Sequence, residues 1–208
     1  MRSAGERLRE VLSGTGTINA AIIFDPVSAR VAEMRGLDIC YMGGSVMKSA
    51  ALALPDDVAL TNLTDLVDIG RRITAVADVS LIMDLDDAGG SALGVYRTVR
   101  DLEAVGVAGI EIEDNSVPRY YGEAASRHAL MLPMDEQVER YKAAVAARRN
   151  PATVIIARTA AHALQSEPGA EFLERIAAYA QTGVDAIVLP SLDHHGGTGK
   201  ADVEAARR

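Results

Sequence analysis

Residues 92–114 read "ALGVYRTVRDLEAVGVAGIEIED", and this stretch decides the fold. Val95, Val99 and Leu102 recur at the spacing of one helix face, and Gly106 stands where helices commonly end. The segment 108–113, "AGIEIE", then reads as a short strand that runs straight into acids. Helix, glycine, strand and acid make one unit, and the chain repeats it. Further strands are expected at 18–24, 37–42, 79–84, 153–157 and 185–189, with helical spacing over 26–35, 64–77, 135–148 and 170–182. Such alternation implies a parallel α/β sheet, either doubly wound or closed as a (β/α)₈ barrel.

Composition narrows the function. Apolar residues make up 49% of the 208 and aromatics only 4%, which suits one domain over 1–208 with an aliphatic core. A net charge of −8 without a basic stripe opposes nucleic acid or an anionic membrane as partner and favours small molecules. The single cysteine, Cys40, excludes an intrachain disulfide and a cysteine-rich zinc site, and its apolar setting reads as structural. The N-terminal stretch has charges but no long apolar run, so a cytoplasmic protein is expected.

Ligands of parallel α/β folds bind at the C-terminal ends of strands. Those ends carry Asp25, Gly43-Gly44-Ser45, Asp84 with Asp86, Glu113 with Asp114, Arg158, and Asp193 with His194 and His195. Convergent carboxylates without cysteines suit a hard cation such as Mg²⁺. The alternative for any one acid is a helix cap.

The motifs "FDPVSAR" (24–30), "YMGGSV" (41–46), "LPDDVALTNLTD" (54–65), "DLD" (84–86), "VPRYYG" (117–122) and "IIART" (155–159), together with 97–114, resemble the isocitrate lyase/phosphoenolpyruvate mutase superfamily. Within it the oxaloacetate decarboxylase branch is the nearest. The resemblance implies a (β/α)₈ barrel, usually tetrameric, that uses Mg²⁺, or Mn²⁺ in its place, on small α-keto or α-hydroxy dicarboxylates through an enolate. It implies that Asp84 ligates the metal and that Asp86 and Glu113 hold its waters. Gly43, Gly44 and Ser45 match the loop for a substrate carboxylate, and Arg158 matches a substrate-binding arginine. Asp56 matches an acid at the site's edge, although a turn role after Pro55 fits its sequence equally.

The expected reaction is decarboxylation or C–C cleavage of an oxaloacetate-like acid. The alternatives are phosphonopyruvate hydrolase, phosphoenolpyruvate mutase or 2-methylisocitrate lyase chemistry, and a catalytically degenerate barrel that serves for binding or assembly. Where the lyase branch carries "KKCGH", this chain has "PRYYGE", with Tyr121 for the cysteine and Glu123 for the histidine. Tyr120 or Tyr121 is then a proton donor or a loop ring that covers the site. The superfamily's "DxDxGYG" is altered, with Ala88 for the first glycine and Gly89 for the tyrosine; a positive φ there would strain Ala88. Ala160 replaces a polar residue in "ARTAA". Six units fill the chain, whereas a complete barrel takes about 250 residues, so a barrel truncated after about six βα units is expected; His194 and His195 read as polar loop residues, the alternative being that they replace, by proximity alone, a later histidine that the resemblance implies.

Overall fold

The computed structural model describes residues 2–55, 60–115, 131–161 and 170–189. Asp56, Tyr120, Tyr121, Glu123, Asp193, His194 and His195 lie outside the described residues, so the roles expected of them stay expectations.

Six parallel strands lie side by side in the order β1 to β6: Ala21–Ile22, Ile39–Met42, Ser80–Asp84, Gly109–Glu113, Val154–Arg158 and Ala186–Val188. A doubly wound sheet reverses its strand order at a switch point, whereas this one never does, so the six strands form consecutive staves of a barrel wall. Seven helices accompany them among the described residues: α1 Ala4–Ser13, α2 Pro26–Met34, α3 Gly44–Leu52, α4 Leu63–Thr74, α5 Ala92–Ala104, α6 Met134–Ala147 and α7 Ala170–Ala180. None is long and apolar enough to cross a membrane.

Strand alternation sorts side chains between two cores. Cys40, Met42, Leu81, Met83, Ile110, Ile112, Ile155 and Ala157 point outward into the main cluster, where they pack with the surrounding helices. Cys40 is fully buried there, as a structural thiol should be. Ile39, Ile82, Val154 and Ile156 point inward and meet Leu8 of α1. That helix seals the inner face, packing on β3 and β5, and Ser80 Oγ donates to the carbonyl of Ala4 at 2.7 Å.

Two expected elements differ. The strand over 18–24 shrinks to Ala21–Ile22, which among the described residues pairs only with β2 and leaves Ile22 61% exposed. The glycines after β2 form no open loop: Gly43 is the N-cap of α3, and Gly44 and Ser45 begin it. Asp25 takes the alternative role of a cap, since its carboxylate accepts from Ser28 N–H and Ser28 Oγ accepts from Asp25 N–H.

Candidate active site

The inward alternation that buries Ile39, Ile82 and Ile156 continues up the same strands as Tyr41, Asp84, Glu111, Glu113 and Arg158. Register sets Asp84 beside Glu111 and Glu113 beside Arg158. The guanidinium of Arg158 therefore lies among three acids. Its Nη1 donates to Asp84 Oδ2 at 3.0 Å and to Glu111 Oε1 at 3.3 Å, and its Nε lies 3.4 Å from Glu113 Oε1. Tyr41 closes the group, its hydroxyl donating to Glu111 Oε1 at 2.9 Å.

Burial dominates the electrostatics. It pushes the Glu111 carboxyl up to about 7, with the Asp84 charge adding to the effect and Arg158 opposing it. Burial likewise raises the Tyr41 hydroxyl far above its ordinary value, reinforced by Asp84 and Glu111. For Arg158 burial works against the charged form, but Glu113, Asp84 and Glu111 together outweigh it and hold the guanidinium charged.

The loop after β3 brings in the remaining acid. Asp84 Oδ1 accepts from Asp86 N–H at 3.3 Å, and Glu113 N–H donates to the carbonyl of Asp86 at 2.8 Å, which ties the loop to β4. Four consecutive-region residues have positive φ: Asp86 at 50°, Ala88 at 52°, Gly89 at 105° and Gly90 at 73°. The strain expected at Ala88 is therefore present. It is held by the burial of Ala88, 2% exposed, and by Thr98 Oγ1, which donates to its carbonyl at 3.0 Å. A tyrosine at Gly89 would be strained in this conformation, because φ is 105° and a Cβ would lie tightly, 3.3 Å from the backbone of Gly94. Beside the loop lies a cavity of about 160 Å³ bounded by α3, the start of α4 and residues 84–89.

The structure thus brings Asp84, Asp86, Glu113 and Arg158 together. Gly44 joins them, but its N–H is committed to Asp84 Oδ2 at 3.2 Å, and Ser45 is exposed in the first turn of α3. Asp114 does not belong to the group: its side chain lies on the outer face against Arg175 and Tyr179. Three site residues escaped the sequence reading. Glu111 and Tyr41 were signalled by period-two alternation with Glu113 and Ile39; Lys48, the lone charge in "SVMKSAALAL", puts Nζ 2.6 Å from Asp86 Oδ2 although it sits on a helix.

Asp84, Asp86, Glu111 and Glu113 against Arg158 and Lys48 leave an excess of about two negative charges when all are ionised. Glu111 Oε2 is a buried acceptor with no hydrogen-bond partner among the described residues. The donors are hard oxygens. Among the described residues no three acids are grouped closely enough to enclose an ion by themselves. This donor set suits Mg²⁺, which takes one or two carboxylates and keeps several waters.

The sequence model described as phosphoenolpyruvate phosphomutase matches residues 8–206. The chain belongs to the phosphoenolpyruvate phosphomutase family. Among its relatives in that family, an oxaloacetate decarboxylase of Rhodopseudomonas palustris (strain BisB18) is 41% identical over 92% of this chain and 64% of its own. Another, of Paraburkholderia xenovorans (strain LB400), is 43% identical over 88% and 60%. The chain thus spans less than two thirds of the length of these relatives. A crystal structure of oxaloacetate acetylhydrolase superposes with a TM-score of 0.83 at 31% identity, over 98% of this chain and 68% of the other. A phosphonopyruvate hydrolase in complex with oxalate and Mg²⁺ gives 0.85 at 27%, over 100% and 70%.

Proposed function

We propose that this chain carries the greater part of the site of a Mg²⁺-dependent lyase that cleaves a C–C bond in small α-keto or α-hydroxy dicarboxylates of the oxaloacetate type. The observation that supports it is the Arg158 guanidinium set among Asp84, Glu111 and Glu113 at the barrel mouth. A set of acids that already holds a cation rejects an anionic substrate until more positive charge arrives. The oxaloacetate decarboxylases and oxaloacetate acetylhydrolase among the relatives support the substrate class, and the oxalate and Mg²⁺ of the phosphonopyruvate hydrolase support the cation.

Asp84 would hold the cation directly, with Asp86 and Glu113 on its waters; Mn²⁺ fits the same oxygens. When bound, it supplies an electron sink for the keto oxygen. The chain's own residues do the rest. Arg158, whose side chain is 22% exposed, binds a substrate carboxylate with its planar fork. As CO₂ leaves, the electron pair of the broken bond passes to the keto carbonyl as an enolate, the guanidinium stabilises the developing charge, and a proton taken up from solvent at the former β-carbon completes pyruvate. Gly44 N–H fixes the Asp84 carboxylate from the side of α3. The same reading takes the protein as a cytoplasmic homotetramer, which light scattering tests.

The decisive experiment compares wild type with Asp84→Ala. Wild type should release pyruvate from oxaloacetate in proportion to enzyme and stop with chelator. Asp84→Ala should lose both Mg²⁺ binding by calorimetry and turnover while keeping its fold. An Asp84→Ala protein that binds Mg²⁺ normally would overturn the assignment.

A further inference from the structure

Lys48 is the least ordinary ionisable group of the site. It is the fifth residue of α3, 2% exposed, in a helix whose other buried members are Gly44 and Met47. Lysine is seldom buried so completely unless it is paired. One partner, among the described residues, is Asp86, with Nζ and Oδ2 2.6 Å apart. Asp86 is also one of the acids available to a divalent cation, and it is held at a strained φ of 50°. The ammonium thus supplies Asp86 with the positive charge that a cation in the acid cluster would otherwise supply.

The surroundings give that ammonium somewhere to go. The cavity of about 160 Å³ beside the loop is lined by both Lys48 and Asp86, and also by Thr61 and Asn62 at the start of α4. Thr61 Oγ1 is buried and has no hydrogen-bond partner among the described residues. A hydroxyl oxygen can accept from an ammonium, and a lysine stem reaches a new partner by rotation about its own bonds without moving the helix.

We propose that Lys48 is a tethered counter-ion that competes with the divalent cation for Asp86 and withdraws toward Thr61 when the cation binds. This deepens the proposed function and rests on its cation site. Two positive groups on one carboxylate repel in a partly buried setting, so the chain binds its cation more weakly than its carboxylates alone would allow. In the absence of metal the same ammonium relieves the repulsion among the acids, which keeps the empty site folded.

Calorimetric titration of the full chain with Mg²⁺ and with Mn²⁺, without substrate, tests this. Lys48→Met and Lys48→Gln should bind either cation more tightly by roughly tenfold or more, whereas Lys48→Arg, which keeps the charge, should stay near wild type. Thr61→Val should weaken binding, and that effect should vanish in the Lys48→Met background. Metal-free Lys48→Met should melt below wild type and gain more from added Mg²⁺. If Lys48→Met does not fold, Lys48→Gln preserves a hydrogen bond to Asp86 and carries the test. Equal or weaker cation binding by the neutral variants overturns the proposal, and so does a Thr61→Val variant that binds like wild type, since a lysine that repels the cation without moving needs no new partner. If wild type and every variant bind no cation, the cation site itself falls and this inference with it; binding by wild type with no gain in the variants overturns the inference alone.

Discussion

Glu113 and Asp114 are neighbours in sequence and opposites in structure. Glu113 points inward with Glu111, toward a guanidinium shared by three acids. Asp114 points outward and is fully satisfied: Oδ1 accepts from Ala160 N–H at 3.0 Å, while Oδ2 accepts from Thr159 Oγ1 at 2.8 Å and Tyr179 OH at 2.9 Å, with Arg175 Nη1 at 3.4 Å. Each cluster contains Asp or Glu, an arginine and a tyrosine. One has acids in excess and a buried oxygen, Glu111 Oε2, that bonds to nothing described; the other matches donors to acceptors. Composition does not separate a structural acid from a reactive one, but completeness of pairing does.

That contrast breaks most easily at Asp114. Asp114→Ala strands Arg175, 4% exposed, without its buried acid, and should lose about 3–5 kcal/mol of unfolding free energy in urea. A loss below about 1 kcal/mol would mean the outer cluster is not structural. Glu111→Gln probes the other side. The amide keeps an acceptor for Tyr41 and removes a charge that burial and Asp84 oppose, so stability should hold or rise by about 1 kcal/mol. A marked loss would show the mouth to be a structural cluster as well. The smallest effect is expected at the loop that carries the site. Ala88→Gly relieves a φ of 52° and should stabilise by about 0.5–1 kcal/mol, read as a raised melting temperature. No gain would mean that the buried methyl contributes as much as the strain costs.

The barrel wall was legible because short, largely apolar strands alternate with helices, and β3 and β4 end in acids. The helices over 92–105, 135–148 and 170–182 emerge as Ala92–Ala104, Met134–Ala147 and Ala170–Ala180. What stayed hidden has local causes. Helix α3 follows β2 after a glycine cap that makes no side-chain hydrogen bond, so "GGSVMKSAAL" carries no start signal. Helix α1 carries little apolar signal because it buries only Gly5 and Leu8. Asp84, Asp86, Glu113 and Arg158 were singled out by looking at strand ends, and the structure groups them. The same habit placed Asp114 in the mouth, and it overlooked Glu111 one pleat down and Lys48 on a helix. Asking which residues share a face, rather than which stand last, separates Glu113 from Asp114 and recovers Glu111; no such rule finds Lys48.

The helix that seals the inner face also sets a timetable. Arg9 of α1 donates through Nη1 to Asp185 at 2.8 Å, a partner 176 residues away, and through Nη2 to the carbonyl of Thr153 at 2.7 Å. During synthesis α1 is made before β5 and cannot complete these contacts until β5 exists, a wait of roughly 10–30 s at ribosomal speed. Over that interval Leu8 lacks its cover, and the closure of so long a loop gives no return until the late strands arrive. A helix made before the strands it seals is thus among the last to settle, and a chain released before residue 185 would carry a floor without a barrel to close.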